Sequence, residues 1–417
     1  MNLKSFLNEK KEIFLQYWEL KLFRVAFIVH LFYFALSIIL FYTITYNQND
    51  FLTYFNVGKQ VITDLPDLYN EANYDFPFRY FPISAFVFVP FYLLGYDLGF
   101  IFFQVLNLAT NFFICVLMVK CIKVNPNNDE ISTKKVAMYV SIFLTFIPNA
   151  FNYILGQINL FVALFLLLSI YLLLTKDAIL SNFLAGIFLG LSITIKPIAI
   201  FIIPFVIPLT LDIKAKQLEF DFKLTVVRLI GTIFPLSFNI LFFLLIPGLW
   251  EGFLFVNFLG STPTIVNHSF SLTRLIINAF YTSGMYISSL YIFIAVLLAI
   301  GIITIVLYFI RKNSQFNTSH AFSLGLLVML LVYFDSWDHH LIILCPIVSI
   351  TVFHSSNSPD IFKKYVKSGF LGLGYFTSLF VGIWFLIHDV FPFNFVPTIC
   401  LLLCLHGLIK FALKKDK

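Results

Sequence analysis

Asp335-Ser336-Trp337-Asp338-His339-His340 sets two acids, an indole and two imidazoles within six residues of a chain that is 60% hydrophobic. Similar residues stand at the ends of other apolar runs. They are Asp50, Arg79, Tyr80, Gln157 and Asn159 in the turn Gly156-Gln157-Ile158-Asn159, Lys196 before Pro197, Asn267-His268, and Arg274. A carboxylate among them could take a proton from an attacking hydroxyl. The cations could neutralise a phosphate, and the aromatic rings could stack on sugars. Such a set suits chemistry on a lipid-linked anionic substrate at a membrane surface.

The elements that must position these residues are membrane spans. Only 12% of the residues are charged, against about 25% in soluble domains. A helix needs about 20 apolar residues to cross the hydrocarbon. The candidate spans are 24–46, 99–119, 136–154, 158–174, 181–195, 197–211, 224–246, 286–310, 320–334, 340–354, 368–387 and 395–411. The run 82–95 is ambiguous. If it does not cross, all but four of the 27 Lys and Arg fall on one side, which the positive-inside rule makes cytoplasmic. The four are Lys59, Arg79, Lys196 and Arg274. The run is therefore expected to lie in or dip into the outer interface, with Pro82 near its start and Pro90 kinking it. Splitting 181–211 and 320–354 keeps Lys196 and Asp335–His340 out of the membrane centre.

These expectations make residues 1–417 a single all-α polytopic membrane domain with both termini cytoplasmic. Residues 1–23 form an interfacial helix rather than a cleaved signal peptide. The first external loop is 47–98 and the second large one is 247–285. The five cysteines lie in or beside apolar segments and match no zinc spacing. No cofactor is expected, although a His and an Asp could ligate a divalent metal. Membrane lipids are expected neighbours; nucleic acid is not an expected partner.

Each candidate also has a plainer reading. Asp50 could end the first helix in water. Asp64, Asp67, Glu71 and Asp75 read as solvated loop acids. Arg79 and Tyr80 could be interfacial anchors. Gln157 and Asn159 could merely satisfy exposed helix ends, and Lys196-Pro197 could be a helix break. Adjacent histidines cannot share one helix face, so His339 and His340 should not both meet a substrate.

Taken in order, the motifs resemble the polytopic GT-C glycosyltransferases, and most closely glycosyltransferase family 87, whose members use polyprenyl-phosphate-linked sugars such as mannose. The matching elements are Asp50-Phe51 with Tyr54, Asp67-Leu68-Tyr69, Arg79-Tyr80-Phe81-Pro82 and Gly156-Gln157-Ile158-Asn159-Leu160. Ala185-Gly186, Gly190-Leu191, Lys196-Pro197, Asn267-His268-Ser269 with Arg274, and Ser336-Trp337-Asp338-His339-His340 follow. The family more often has Gln where His268 stands, and the C-terminal helices carry no matching motif. The resemblance implies a GT-C-like bundle of about twelve helices in the cell membrane, with interfacial helices in the first external loop and an external active site.

It also implies an inverting transfer of a hexose, mannose first, from a polyprenyl-phosphate-sugar to a hydroxyl of a glycolipid or glycan. Asp50 would be the general base. Lys196, Arg274, His339 or His340, and Arg79 would hold the donor phosphate. Tyr54, Tyr69, Tyr80, Gln157, Asn159, Asn267, Trp337 and Asp338 would contact sugar or acceptor. Competing readings are a transporter or flippase of a lipid-linked or anionic solute, and an O-antigen-type polymerase or ligase. The latter would be expected to carry an arginine-rich outer loop, whereas 247–285 holds only Arg274.

Overall fold

The computed structural model describes residues 16–124, 132–175, 178–212, 217–259, 269–285, 287–313, 316–355, 363–376 and 395–414. Most of the expected interfacial helix, Asn267, His268 and much of 368–387 lie outside the described residues.

The described chain is mostly helical. In order it runs α1 (Lys21–Thr45), α2 (Asp50–Thr63), the broken helix α3 (Pro82–Leu93), α4 (Tyr96–Lys123), α5 (Thr133–Thr145) and α6 (Ile147–Ile154). Then come α7 (Asn159–Thr175), α8 (Ile179–Ile195), a 3-10 stretch Pro197–Val206, α9 (Phe222–Leu245), α10 (Leu249–Leu254) and α11 (Leu272–Thr282). The last are α12 (Ser289–Phe309), α13 (Thr318–Val332), α14 (Leu341–His354) and α15 (Val396–Leu413).

Among the described residues five helices are long and apolar enough to cross a membrane: α1, α4, α9, α12 and α15. The α5–α6 pair, bent by 41°, makes a sixth if counted as one span. The chain is a polytopic helical membrane protein. Helices α7, α8, α13 and α14 are shorter and apolar, and they build the interior.

Burial explains the arrangement. Helix α1 buries Phe23, Ala26, His30, Ser37 and Phe41, a single stripe at helical spacing, and exposes Leu22, Ile28, Phe32 and Ile39. Helix α9 exposes Ile230, Ile233, Phe234, Phe238, Leu241 and Leu244, a face suited to lipid. Helices α13 and α14 are buried almost all round, as befits apolar helices at the centre of a bundle.

Helices α8 and α9 meet through small residues. A Cβ on Gly186 would collide with the Arg228 carbonyl, one on Gly190 with the Thr232 carbonyl, and one on Gly231 with the Phe183 carbonyl. Close backbone approach of this kind is how membrane helices gain packing without a hydrophobic drive between them. Gly186 and Gly190 thus hold α8, and with it Lys196 at its C-terminal end. Gly190→Leu is expected to destabilise the protein by about 1–3 kcal/mol through overpacking. A lowered melting temperature in detergent would show it.

The expected helix breaks fall where the polar residues stand. Helix α8 ends at Ile195, α13 at Val332, and α14 begins at Leu341. The run 82–95 is interrupted as expected: Pro82 and Pro90 each lie in the first turn of a short helix, and a 3-10 turn at Phe86–Phe88 separates them.

The expected helix 197–211 is not an α-helix and is helical only as far as Val206. Pro204 and Pro208 remove backbone donors, so Pro197–Val206 winds as 3-10 and the chain then turns extended. Leu209–Asp212 (β1) pairs antiparallel with Gln217–Phe220 (β2), Leu209 opposite Phe220 and Asp212 opposite Gln217. This hairpin is the exception to the all-α expectation.

Candidate active site

Asp50 is the first residue of α2. Asn49 caps that helix by accepting from the Leu52 amide at 2.9 Å, and its own amide donates to the Thr45 carbonyl at 2.6 Å and to the Tyr96 hydroxyl at 2.9 Å. An Asn before a helix is a strong N-cap, so the start of α2, and with it Asp50, is fixed against both α1 and α4. The Asp50 amide donates to the Leu155 carbonyl at 3.0 Å. The carboxylate sits at a helix N-terminus, where the backbone dipole favours an anion.

The turn 155–159 then comes against Asp50. Gly156 has φ +66°, and a Cβ there would stand 2.7 Å from the Cβ of Phe51. Both the left-handed conformation and the close approach require glycine. The turn is also fastened from behind: Gln157 N–H donates to the Asn152 carbonyl at 2.9 Å, and the Asn152 amide returns a bond to the Gln157 carbonyl at 3.2 Å.

Gln157 Nε2 donates to Asp50 Oδ2, while Gln157 Oε1 accepts from the Tyr54 hydroxyl at 3.1 Å. Tyr54 and Tyr80 join hydroxyl to hydroxyl at 2.9 Å. Tyr54 stacks on Phe88 at 4.4 Å, and Tyr69 donates to the Tyr80 carbonyl at 2.7 Å. Tyr69 is thus a support beneath the cavity wall.

Lys196 caps α8 and is 4% exposed. Its Nζ donates to Asn159 Oδ1 and lies 5.8 Å from the centroid of the Tyr80 ring, within cation–π range. The Asn159 amide donates to the His339 carbonyl at 3.0 Å. This links the 155–159 turn to the loop between α13 and α14.

In that loop Trp337 N–H donates to His340 Nδ1 at 3.2 Å, and the His339 and His340 rings stand perpendicular with centroids 4.4 Å apart. Asp338–His340 is a 3-10 turn rather than part of α14. Both histidines line the cavity, although adjacent residues of a 3-10 turn diverge by about 120° and share a face no better than those of an α-helix.

Asp335 is held by two arginines. Arg79 Nη1 donates to Oδ2, and Arg274 Nη2 donates to Oδ1 at 2.8 Å. Arg79 also donates to the Tyr333 hydroxyl at 3.4 Å and lines the cavity. Arg274 does not line it: this side chain is 2% exposed and reaches the Phe334 carbonyl at 3.3 Å from beneath. Its place is that of a support for Asp335.

The cavity between these elements holds about 260 Å³. Asp50, Tyr54, Arg79, Tyr80, Gln157, Lys196, Trp337, His339 and His340 line it, so nine expected residues from five separate stretches converge. Asn159, Asp338, Tyr69 and Arg274 stand outside its wall, and Asn267 lies outside the described residues. Asp64, Glu71 and Asp75 are exposed. Asp67 accepts from Asn70 and Asn73, at 3.1 and 2.9 Å, and so shapes a turn.

Tyr333 and Asn257 also line the cavity and were not singled out. Each sits within an apolar run. Asn49 could have been recognised from its cap position. Among the described residues no three His, Cys, Asp or Glu side chains cluster closely enough to hold a metal ion.

Electrostatics separate the groups. Burial pushes the Asp50 carboxyl up to about 6, against the Gln157 hydrogen bond and the Lys196 charge, which pull it down. Burial pulls Lys196 down to about 7, against the Asp50 charge. Burial would raise Asp335, but Arg79 and Arg274 hold it below the usual carboxylate range. Burial, with the Lys196 charge, keeps His339 and His340 well below the usual range and hence neutral. Burial alone lifts Asp338 to about 7.

Residues 78–333, more than half the chain, match the family model described as Glycosyltransferase family 87. The matched range takes in Arg79, Tyr80, Gln157, Asn159, Lys196 and Arg274; Asp50 precedes it and Trp337 follows it. Comparison with curated proteins finds no match, and comparison with solved structures finds none.

Proposed function

The chain belongs to glycosyltransferase family 87, and on that premise we propose that this membrane glycosyltransferase moves a hexose, mannose as first candidate, from a polyprenyl-phosphate-sugar to a hydroxyl of a lipid-linked or glycan acceptor. The reaction lies on the external face of the cell membrane, in a bundle of about twelve crossings with both termini cytoplasmic. The observation that carries this reading is the pairing of a raised carboxyl with a buried lysine in one cavity.

In the reaction Asp50 accepts the proton of the acceptor hydroxyl as its oxygen bonds to the anomeric carbon. The bond from that carbon to the phosphate oxygen breaks, and its electron pair leaves with the polyprenyl phosphate. Configuration inverts because attack and departure are on opposite faces. Lys196 stabilises the growing phosphate charge, and preorganised charge of this kind is a main catalytic lever. His339 and His340, being neutral, serve as hydrogen-bond donors rather than cations. Trp337 N–H occupies His340 Nδ1, leaving Nε2 as the protonated nitrogen.

Reconstitution with synthetic polyprenyl-phosphate-mannose and a membrane glycolipid extract, read by mass spectrometry, tests the activity. Gain of one hexose by a glycolipid supports it; no transfer from any polyprenyl-phosphate-hexose would sink it.

The same pair sets a pH profile. The base must be ionised, so kcat/KM rises through about pH 6; the lysine must be charged, so it falls above about pH 7. With donor bound, the phosphate favours the ammonium, and the descending limb of kcat shifts to higher pH. Lys196→Arg, which does not titrate in this range, is expected to erase the descending limb and keep the ascending one.

Topology has its own check. Cysteines at Glu71 and Met285, both exposed, are expected to react with an impermeant thiol reagent added outside; those at Lys123 and Glu219, also exposed, are not. The opposite pattern would invert the orientation.

A further inference from the structure

The turn 155–159 carries two side-chain amides two residues apart, and they are used in opposite senses. Gln157 turns its NH₂ to Asp50, and Asn159 turns its carbonyl oxygen to Lys196. An amide can flip end for end, so something must fix each one. The Tyr54 hydroxyl donates to Gln157 Oε1, which leaves Nε2 for the carboxylate. The His339 carbonyl accepts from Asn159 Nδ2, which leaves Oδ1 for the ammonium. Tyr80 is the matching donor to Tyr54, whose own proton is engaged on Gln157.

We propose that Gln157 and Asn159 are positioning residues, oriented by Tyr54 and by the His339 carbonyl, that hold the base and the phosphate-binding lysine in their charged forms, instead of contacts to the sugar. This rests on the reading of Asp50 and Lys196 given above. Asn159 is fully buried and does not line the cavity, which excludes it from direct substrate contact in this conformation. Gln157 lines the cavity, but both ends of its amide are already bonded to the protein.

The titratable groups facing the pair are Tyr54 and Tyr80 from the first loop, His339 and His340 from the loop before α14, and Arg79 held by Asp335. The histidines are neutral and the tyrosines are raised by burial. Asp338, which burial lifts to about 7, also titrates near neutral pH, so shifts are assigned to Asp50 and Lys196 by the infrared and labelling readouts below and not by the pH–rate limbs alone.

The test uses the full-length protein in nanodiscs and four variants, with Asp50→Asn as the infrared reference. Losing the Gln157 donor disfavours the carboxylate. Gln157→Leu, and Tyr54→Phe through it, should move the ascending limb of kcat/KM up by about one pH unit, the size expected for one hydrogen bond to a charge. Losing the Asn159 acceptor disfavours the ammonium, so Asn159→Leu should move the descending limb down by a similar amount. Asn159→Asp should move it up, a change of sign that simple loss of packing would not give.

Two further readouts do not need turnover. The infrared carboxyl band absent from Asp50→Asn should titrate with the same shift in Tyr54→Phe. Amine-reagent labelling of Lys196 against pH should follow the Asn159 variants. Raised KM for donor or acceptor with all titrations unmoved would overturn the proposal in favour of substrate contact. Titrations that move while the pH–rate limbs do not would uphold the positioning roles and sink the base assignment instead.

Discussion

Asp50→Asn is expected to lower kcat by about a thousandfold, within the range for loss of a general base, while the protein still folds and inserts. The substitution keeps size and shape, and the new amide can turn its oxygen to Gln157 Nε2 in place of the carboxylate. The cap at Asn49 and the bond from residue 50 N–H to Leu155 involve other atoms and should persist. Donor KM should change by less than about threefold, because the base acts on the acceptor hydroxyl in the transition state and contributes little to ground-state binding. Steady-state turnover with purified protein decides it: residual kcat above about a tenth of the wild type would remove Asp50 from the role of base.

Lys196→Ala should cost about 100- to 1,000-fold in kcat, the usual price of one charge-stabilising group, and should weaken donor use more than acceptor use. It has a second consequence that Asp50→Asn lacks. The Lys196 charge is one of two influences that hold Asp50 below the value burial would set. Without it the carboxyl rises, and the ascending limb of kcat/KM moves to higher pH. Lys196→Arg should recover part of the activity, because charge survives although Asn159 and the Tyr80 ring were arranged for an ammonium. Equal loss toward donor and acceptor, with an unmoved ascending limb, would argue that Lys196 acts on the fold and not on the phosphate.

Much of this site was legible because polar residues are conspicuous in a membrane chain. Lys196-Pro197 and Asp335–His340 break long apolar runs, and the helices stop there. Asp50 follows the first long apolar run, and α2 starts on it. What the pattern could not supply was pairing. Arg79 and Arg274 read as two cations for a phosphate, yet both meet Asp335, and one is buried beneath the wall. Partner choice depends on three-dimensional distance, which residue type and spacing do not encode. That both histidines line the cavity was hidden in the same way: adjacent residues diverge in either kind of helix, and only the three-dimensional course of the wall brings both to it. The first strand of the hairpin, β1, was hidden because it continues the apolar run from Pro197, and short apolar strands and buried helix segments look alike.

The double hold on Asp335 also bears on donor choice. One carboxylate shared by two guanidinium groups leaves that cluster with a single net positive charge. Asp50 and Lys196, both ionised, cancel. On the proposed reading, a cavity region with this charge would suit a monoanion, which is what a phosphodiester-linked sugar presents. A sugar nucleotide brings a diphosphate, and its additional negative charge would be left uncompensated among largely buried side chains, where unpaired charge is severely penalised. Discrimination between one phosphate and two would then follow from charge count before any contact with the sugar, set by a salt bridge in the cavity wall.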